Sequence, residues 1–193
     1  MVTRSIIERS HDAGVELIDA TGTLEDSVIR DSAGSFAQAH TGSRADCAGQ
    51  GVRITSSQGG AEVTMRRALV ERSRTAGIHA RGAILHLEGV LVKGTLAEDC
   101  SGGFGDGVAV YGGASTTVSG SRIETSARAA FVSFGSSLSF SSTALGCSDT
   151  TLAVEPFEAP MVDEASVVCG CEASWGRCRA VSRGFEPWLT GAP

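Results

Sequence analysis

Apolar and polar positions recur in this chain with a long, fixed period. The stretch 68–95, "ALVERSRTAGIHARGAILHLEGVLVKGT", opens with ALVERS and closes with VLVKGT. Related phrases are SIIERS (5–10), SVIRDS (27–32), SRIETS (121–126) and TALGCS (143–148). Their starts lie 22, 41, 22, 31 and 22 residues apart. Three intervals are equal, and the other two are 22 plus 19 and 22 plus 9, as loops inserted into two repeats would give. A fixed period of this length points to a stacked repeat architecture.

The aligned columns define the elements. The third residue of each phrase is Ile7, Ile29, Val70, Val92, Ile123 or Leu145, all large aliphatics. The sixth is Ser10, Ser32, Ser73, Thr95, Ser126 or Ser148, always a hydroxyl. A small residue followed by an apolar one comes next: Gly14-Val15, Gly51-Val52, Gly77-Ile78, Gly107-Val108 and Ala130-Phe131. Leu24, Met65, Leu87, Val118 and Phe140 form a further apolar column. The fourth residues, Glu8, Arg30, Glu71, Lys93 and Glu124, alternate in sign. So do Arg9, Asp31, Arg72 and Glu25, Arg66, Glu88. Opposite charges directly across adjacent strands stabilise, and like charges destabilise, by roughly 0.2–1 kcal/mol per pair. A parallel, in-register sheet explains the alternation. Ile6, Val28, Leu69 and Leu91 break the in-out parity of this strand: either a bend turns both sets inward or the outer set is covered.

The pattern predicts an all-β fold of about six 22-residue rungs over 1–150, each with three short strands and polar or Gly corners. Loops are inserted in rungs 2 and 4, at 33–50 and near 96–106. Residues 151–193, where the period fades, are expected to be a Cys-containing C-terminal tail or cap, because an open end of stacked strands invites edge pairing. The first rung begins by residue 5 with no room for a cap, so it belongs to a longer stack or pairs with something else. The strict period argues against a β-sandwich. The missing consensus argues against a leucine-rich repeat.

These rungs and columns resemble the right-handed parallel β-helix, the pectate-lyase-like solenoid of many bacterial secreted and surface proteins. The resemblance covers about 1–150. It implies strands stacked about 4.8 Å apart, with stability coming mostly from neighbouring rungs. The chain has no Asn. The Ser/Thr column stands where an Asn ladder often runs in this fold.

Composition narrows the function classes. The net charge is −6 with both signs dispersed, so no basic block is present to neutralise phosphates and nucleic acid is not the expected partner. No run of 18 apolar residues can span a membrane, and the start, MVTRSIIERS, has no signal-peptide core. The six cysteines Cys47, Cys100, Cys147, Cys169, Cys171 and Cys178 favour disulfides and an oxidising, secreted or cell-envelope location. Cys47 and Cys100 sit in the two insertions, two layers or about 10 Å apart, and either pair or stay separate. The C-x-C spacing at Cys169 and Cys171 departs from zinc spacing, so no metal or other cofactor is expected.

Candidate chemistry lies on the outward face of the second strand of each rung. Arg53, His79, Arg81 and Tyr111 cluster there, with Phe134 beyond and Glu98, Asp99 and Asp106 near the edge. His79, Arg81, Tyr111 and Asp106 are the catalytic candidates. Arg53, Arg81, Tyr111 and Phe134 are the substrate-binding ones. Arg81 would bind a carboxylate bidentately, His79 or Tyr111 would move a proton, and Tyr111 and Phe134 would stack on a sugar. "GFGDGVAVYG" at 103–112 bears a slight similarity to polygalacturonase rungs, but the paired Asp, the His-Gly and the Arg-x-Lys of that family are missing. The expectation is therefore a non-catalytic scaffold or a module contacting a polysaccharide or other surface component. The alternative is a lyase, hydrolase or epimerase acting on an acidic polysaccharide.

Overall fold

The computed structural model describes residues 1–34, 49–98, 103–155, 162–163, 166–171 and 174–186. Among these residues there is no helix, and the strands assemble into three sheets. The first sheet stacks Val2–Thr3, Gly22–Glu25, Glu62–Arg66, Ile84–Glu88, Ser115–Ser119, Ser137–Ser141 and Val162–Asp163. The second stacks Ile6–Glu8, Val28–Arg30, Leu69–Glu71, Leu91–Lys93, Arg122–Glu124, Thr143–Gly146 and Val167–Gly170. The third stacks Asp12–Ile18, Gly49–Thr55, Ala76–Arg81, Asp106–Tyr111, Ala129–Phe134 and Thr150–Glu155. The chain visits the sheets in constant rotation, and every pairing between successive layers is parallel.

The aliphatic columns stand in single file. Ile7 pairs with Ile29, Ile29 with Val70, Val70 with Val92, Val92 with Ile123, and Ile123 with Leu145. Leu24, Met65, Leu87, Val118 and Phe140 stack in the same way. Both columns are buried from the second layer onward and belong to one core, which the third sheet joins through Val52, Ile54, Ile78, Val108, Val110 and Phe131. Fully burying such a side chain contributes about 1.5–3 kcal/mol. The parity question at the second sheet is answered without a bend. Ile6 is 67% exposed, and Val28, Leu69 and Leu91 are half-buried on the outer side.

Glycine follows the first four hydroxyls of the column because the space is already filled. A Cβ at Gly77 would lie 2.5 Å from Val92 Cγ1 and 2.6 Å from the Gly107 carbonyl oxygen. At Gly107 it would meet Ile123 Cγ2 and the carbonyl of Ala130, with Ser126 Oγ at 2.8 Å. Ser32, Ser73, Thr95 and Ser126 are buried at this corner. Among the described residues the Ser32, Ser73 and Ser126 hydroxyls have no hydrogen-bond partner, while the backbone N–H of Ser126 donates to Ser148 Oγ at 2.9 Å. The column fills a tight corner where a larger side chain would strike the opposite glycine.

The other corner residues adopt left-handed backbone. Arg4, Asp26 and Arg67 form one such column, continued by Gly89 and Gly120. Arg9, Asp31 and Arg72 form a second, continued by Gly94, Thr125 and Cys147. Left-handed geometry costs a non-glycine residue roughly 1–2 kcal/mol. Each corner N–H donates to the next layer, as in Asp26 N–H to Arg66 O at 3.0 Å and Arg72 N–H to Lys93 O at 3.1 Å. Arg67 also bonds Asp26 and Arg72 bonds Asp31, both at 2.7 Å. Exposed ion pairs contribute at most about 1 kcal/mol, so these corners roughly balance and act mainly on register.

Strand pairing continues past residue 150. Val162–Asp163 extends the first sheet and Val167–Gly170 the second, and Val181 bridges Ala153 of the third. The tail thus lays down a further layer. Gly176–Arg177 then turns back antiparallel on Val168 and Cys169. Disulfides join Cys147 to Cys171 and Cys169 to Cys178. Cys47 and Cys100 lie outside the described residues.

Replacing Gly77 with Ala is expected to destabilise the fold by about 1–3 kcal/mol. Gly60→Ala, where a Cβ meets nothing within 4 Å, is expected to stay within about 0.5 kcal/mol of the parent. Urea unfolding of the two variants measures both.

Candidate functional site

The third sheet presents two faces. Its inner side chains enter the main core, and its outer face carries Arg53, His79, Arg81, Tyr111 and Phe134, which the register brings together. Arg53 lies beside His79, Arg81 beside Tyr111, and Tyr111 beside Phe134. The His79 and Tyr111 rings meet edge to face at 4.5 Å between centroids, and the Tyr111 and Phe134 rings at 5.9 Å.

This face is closed to solvent where chemistry was expected. His79 is 2% exposed, Tyr111 4% and Phe134 3%. Ala76, Ala109, Ala129, Val132 and Ala153 join Tyr111 and Phe134 in a second apolar cluster, against which Phe185 of the tail packs. Burial pushes the His79 imidazole pKa down to about 3, and the positive charges of Arg53 and Arg81 push in the same direction. His79 is therefore neutral at physiological pH. The Tyr111 hydroxyl is buried with no hydrogen-bond partner among the described residues.

The cations of this face differ in their engagement. Arg53 donates from both terminal nitrogens to Asp12, at 3.0 and 2.7 Å, and from Nε to Glu16 at 2.7 Å. Burial works against its charge, but the Asp12 and Glu16 carboxylates outweigh that and raise its pKa. Arg81 is half-buried, and among the described residues its guanidinium has no ion-pair or hydrogen-bond partner. Asp99 lies outside the described residues, and Glu98 is buried.

Asp106 stands apart from this group, five residues before Tyr111 at the opposite end of the same strand. It is 2% exposed and accepts bonds from Arg128 Nε at 2.9 Å and Nη2 at 2.5 Å. Burial raises its pKa, opposed by the bond from Arg128, by that residue's charge and by the Ala129 N–H. The Arg128 guanidinium lies between the rings of Phe104, at 4.8 Å, and Phe185, at 4.6 Å. These groups line an open pocket of about 500 Å³ with Gly103, Ala127, Asp149, Thr150 and Arg183.

One wall of that pocket is the tail, and a buried carboxylate holds it there. Glu155 accepts the Ser182 hydroxyl at 2.7 Å and the N–H groups of Arg183, Gly184 and Phe185 at 2.8, 3.2 and 3.2 Å. Burial alone would raise the Glu155 pKa, but these four donors together lower it. Sequence reasoning missed Arg128, Glu155, Phe104 and Phe185. A signal existed for Arg128, which lies 22 residues, one period, after Asp106. Among the described residues no group of three or more His, Cys, Asp or Glu is placed to hold a metal ion. None of their helices could cross a membrane, since there are none.

Neither a protein-family model, nor a curated protein, nor a solved structure matches this chain.

His79 protonates with difficulty when folded and readily when unfolded, where its pKa is about 6.5. Its contribution to stability is complete above about pH 6.5 and declines as pH falls towards 3, by up to ~1.4 kcal/mol per pH unit. His79→Phe is expected to flatten the dependence of unfolding free energy on pH between 6 and 4. Urea unfolding at each pH measures it, and an unchanged slope would contradict the assignment.

Substituting Glu155 with Gln is expected to free the tail amides without unfolding the sheets. Exchange protection at Arg183–Phe185 should fall about tenfold or more, and protection in Ala129–Phe134 should persist. Native-state hydrogen exchange resolves the two regions.

Proposed function

We propose that the chain winds as a right-handed parallel β-helix and serves as a rigid, non-catalytic module of a secreted or cell-surface protein, acting as a scaffold or as a glycan- or surface-contacting element. The supporting observation is how its charges are disposed. Glu8 with Arg30, Arg66 with Glu88, Arg67 with Asp26 and Arg72 with Asp31 pair from layer to layer, and Arg53 is engaged by Asp12 and Glu16. A polysaccharide-cleaving site needs a base within reach of a bound sugar, whereas His79 and Tyr111 are buried and Asp106 is bonded to Arg128 at the far end of the strand. The two disulfides are compatible with an extracellular location.

The second reading, a carbohydrate-active enzyme on an acidic polymer, draws on one observation. Arg81 is a half-buried cation without a partner among the described residues, beside a hydroxyl, Tyr111, that also has none.

The two readings separate in a panel assay on uronate polymers with the parent, His79→Ala and Arg81→Ala. A scaffold turns over none of them, and the variants bind glycans as the parent does. Turnover that either substitution reduces a hundredfold or more would overturn the scaffold reading in favour of the enzyme.

A further inference from the structure

The pocket at Arg128 takes no residue from the interlayer charge ladders. Its walls are set from two sides. Phe104 and Gly105 adopt successive left-handed conformations, φ 60° and 99°, and a bulky side chain rarely takes that geometry. They carry the Phe104 ring to 4.8 Å from the Arg128 guanidinium, and Glu155 holds the tail that carries the Phe185 ring to 4.6 Å. Buried Asp106 engages Nε and Nη2 of the same guanidinium. Nη1 keeps only a 3.5 Å contact with the Glu186 carbonyl. A guanidinium has five N–H donors, so one edge of Arg128 still has hydrogens to give. Thr150, 6% exposed, also lines the pocket, and its hydroxyl has no hydrogen-bond partner among the described residues.

Two more charges line this pocket. Asp149 follows Arg128 one layer on, since Thr150 pairs with Ala129, yet Arg128 bonds Asp106 instead. Arg183 comes from the tail, where its backbone N–H bonds Glu155. Asp149 and Arg183 are both exposed, and neither side chain has an ion-pair or hydrogen-bond partner among the described residues. The pocket thus offers an unmatched anion and an unmatched cation beside the closed Asp106–Arg128 pair. The two acidic and two basic groups cancel.

We propose that this pocket binds a free α-amino acid with an apolar side chain. The ligand carboxylate takes the open edge of Arg128 and the Arg183 guanidinium, in charge-assisted hydrogen bonds. The ligand ammonium takes Asp149. The side chain lies against Phe104, Phe185 and Ala127. A ligand of zero net charge leaves the pocket balanced, whereas a simple anion, a uronate included, sets its charge against Asp149. A neutral sugar would cover Asp149 and Arg183 without a counter-charge for either, and a covered charge without a partner is costly. The volume, about 500 Å³, lies within the range of small-ligand sites.

Isothermal titration of the full chain with L-leucine tests the proposal. L-leucine should bind with a Kd at or below about 1 mM. N-acetyl-L-leucine lacks the ammonium and L-leucine amide lacks the carboxylate. Each should bind about tenfold or more weakly, the loss expected for one charged contact. Asp149→Asn should weaken L-leucine to the same degree and leave N-acetyl-L-leucine unchanged. Arg183→Gln should weaken L-leucine and leave L-leucine amide unchanged. Both positions are exposed and partnerless, so both variants should fold, which circular dichroism checks. If either does not, the two blocked derivatives on the parent chain decide the matter. No binding of L-leucine overturns the proposal, as does a blocked derivative that binds as tightly as L-leucine. A folded Asp149→Asn chain that binds L-leucine like the parent overturns it too. Galacturonate binding that Asp149→Asn strengthens, without L-leucine binding, would mark the pocket as an anion site instead.

Discussion

Every layer of this molecule depends on like side chains lying directly over one another. A single rung of three short strands has no interior of its own. It acquires one only when Ile29 rests on Val70, Val70 on Val92 and Val92 on Ile123. Each buried aliphatic contributes about 1.5–3 kcal/mol, against at most about 1 kcal/mol for each exposed ion pair along the columns. Burial therefore supplies the stability. The charges discriminate among stackings. A slip of one residue would turn the aliphatics outward and bring Glu8 out of line with Arg30.

The same stacking explains why small residues recur where they do. The corner between the second and third sheets must admit an aliphatic, a hydroxyl and the backbone of the next layer within a few ångströms. Gly51, Gly77 and Gly107 are the residues that fit, since a Cβ at any of them falls 2.4–2.6 Å from a neighbour. The corner between the first and second sheets, and the residue just before each hydroxyl at the corner between the second and third, take left-handed backbone in each layer. With no Asn in the chain, early layers use Arg and Asp, whose strain is offset by interlayer bonds, and later layers use Gly89, Gly94 and Gly120 together with Thr125, Ser142 and Cys147. Charged ladder and glycine are two solutions to one backbone requirement.

What could be read from the sequence is what the period encodes. The aliphatic columns, the sign alternation and the in-out alternation of the third sheet repeat at constant spacing, so aligning the phrases exposes them. Asp106 and Arg128 obey the same spacing, so the pair was legible in principle, although Arg128 lies outside the phrase columns. The cradle around Glu155 was not legible. Three of its four donors are backbone N–H groups, which leave no mark on side-chain identity, and the tail that carries them does not repeat. Cys147 and the three tail cysteines could be counted, yet only strand placement distinguishes Cys147–Cys171 and Cys169–Cys178 from the other pairings.

Burial of the outer face of the third sheet was illegible for a related reason. Alternation tells which side of a strand a residue takes, and says nothing about what lies over that side. Arg53, His79, Arg81, Tyr111 and Phe134 share the outer side as the alternation requires, but Tyr111 and Phe134 form a second, smaller core with Ala109, Val132 and Ala153. A histidine in such a place is pressed towards neutrality by burial and by its cationic neighbours together, and an arginine there is kept charged only by carboxylates drawn to it. Neutral His79 and carboxylate-bound Arg53 thus both follow from burial on this face. The polar character of the face still reaches solvent at half-buried Arg81 and at the carboxylates of Asp12 and Glu16.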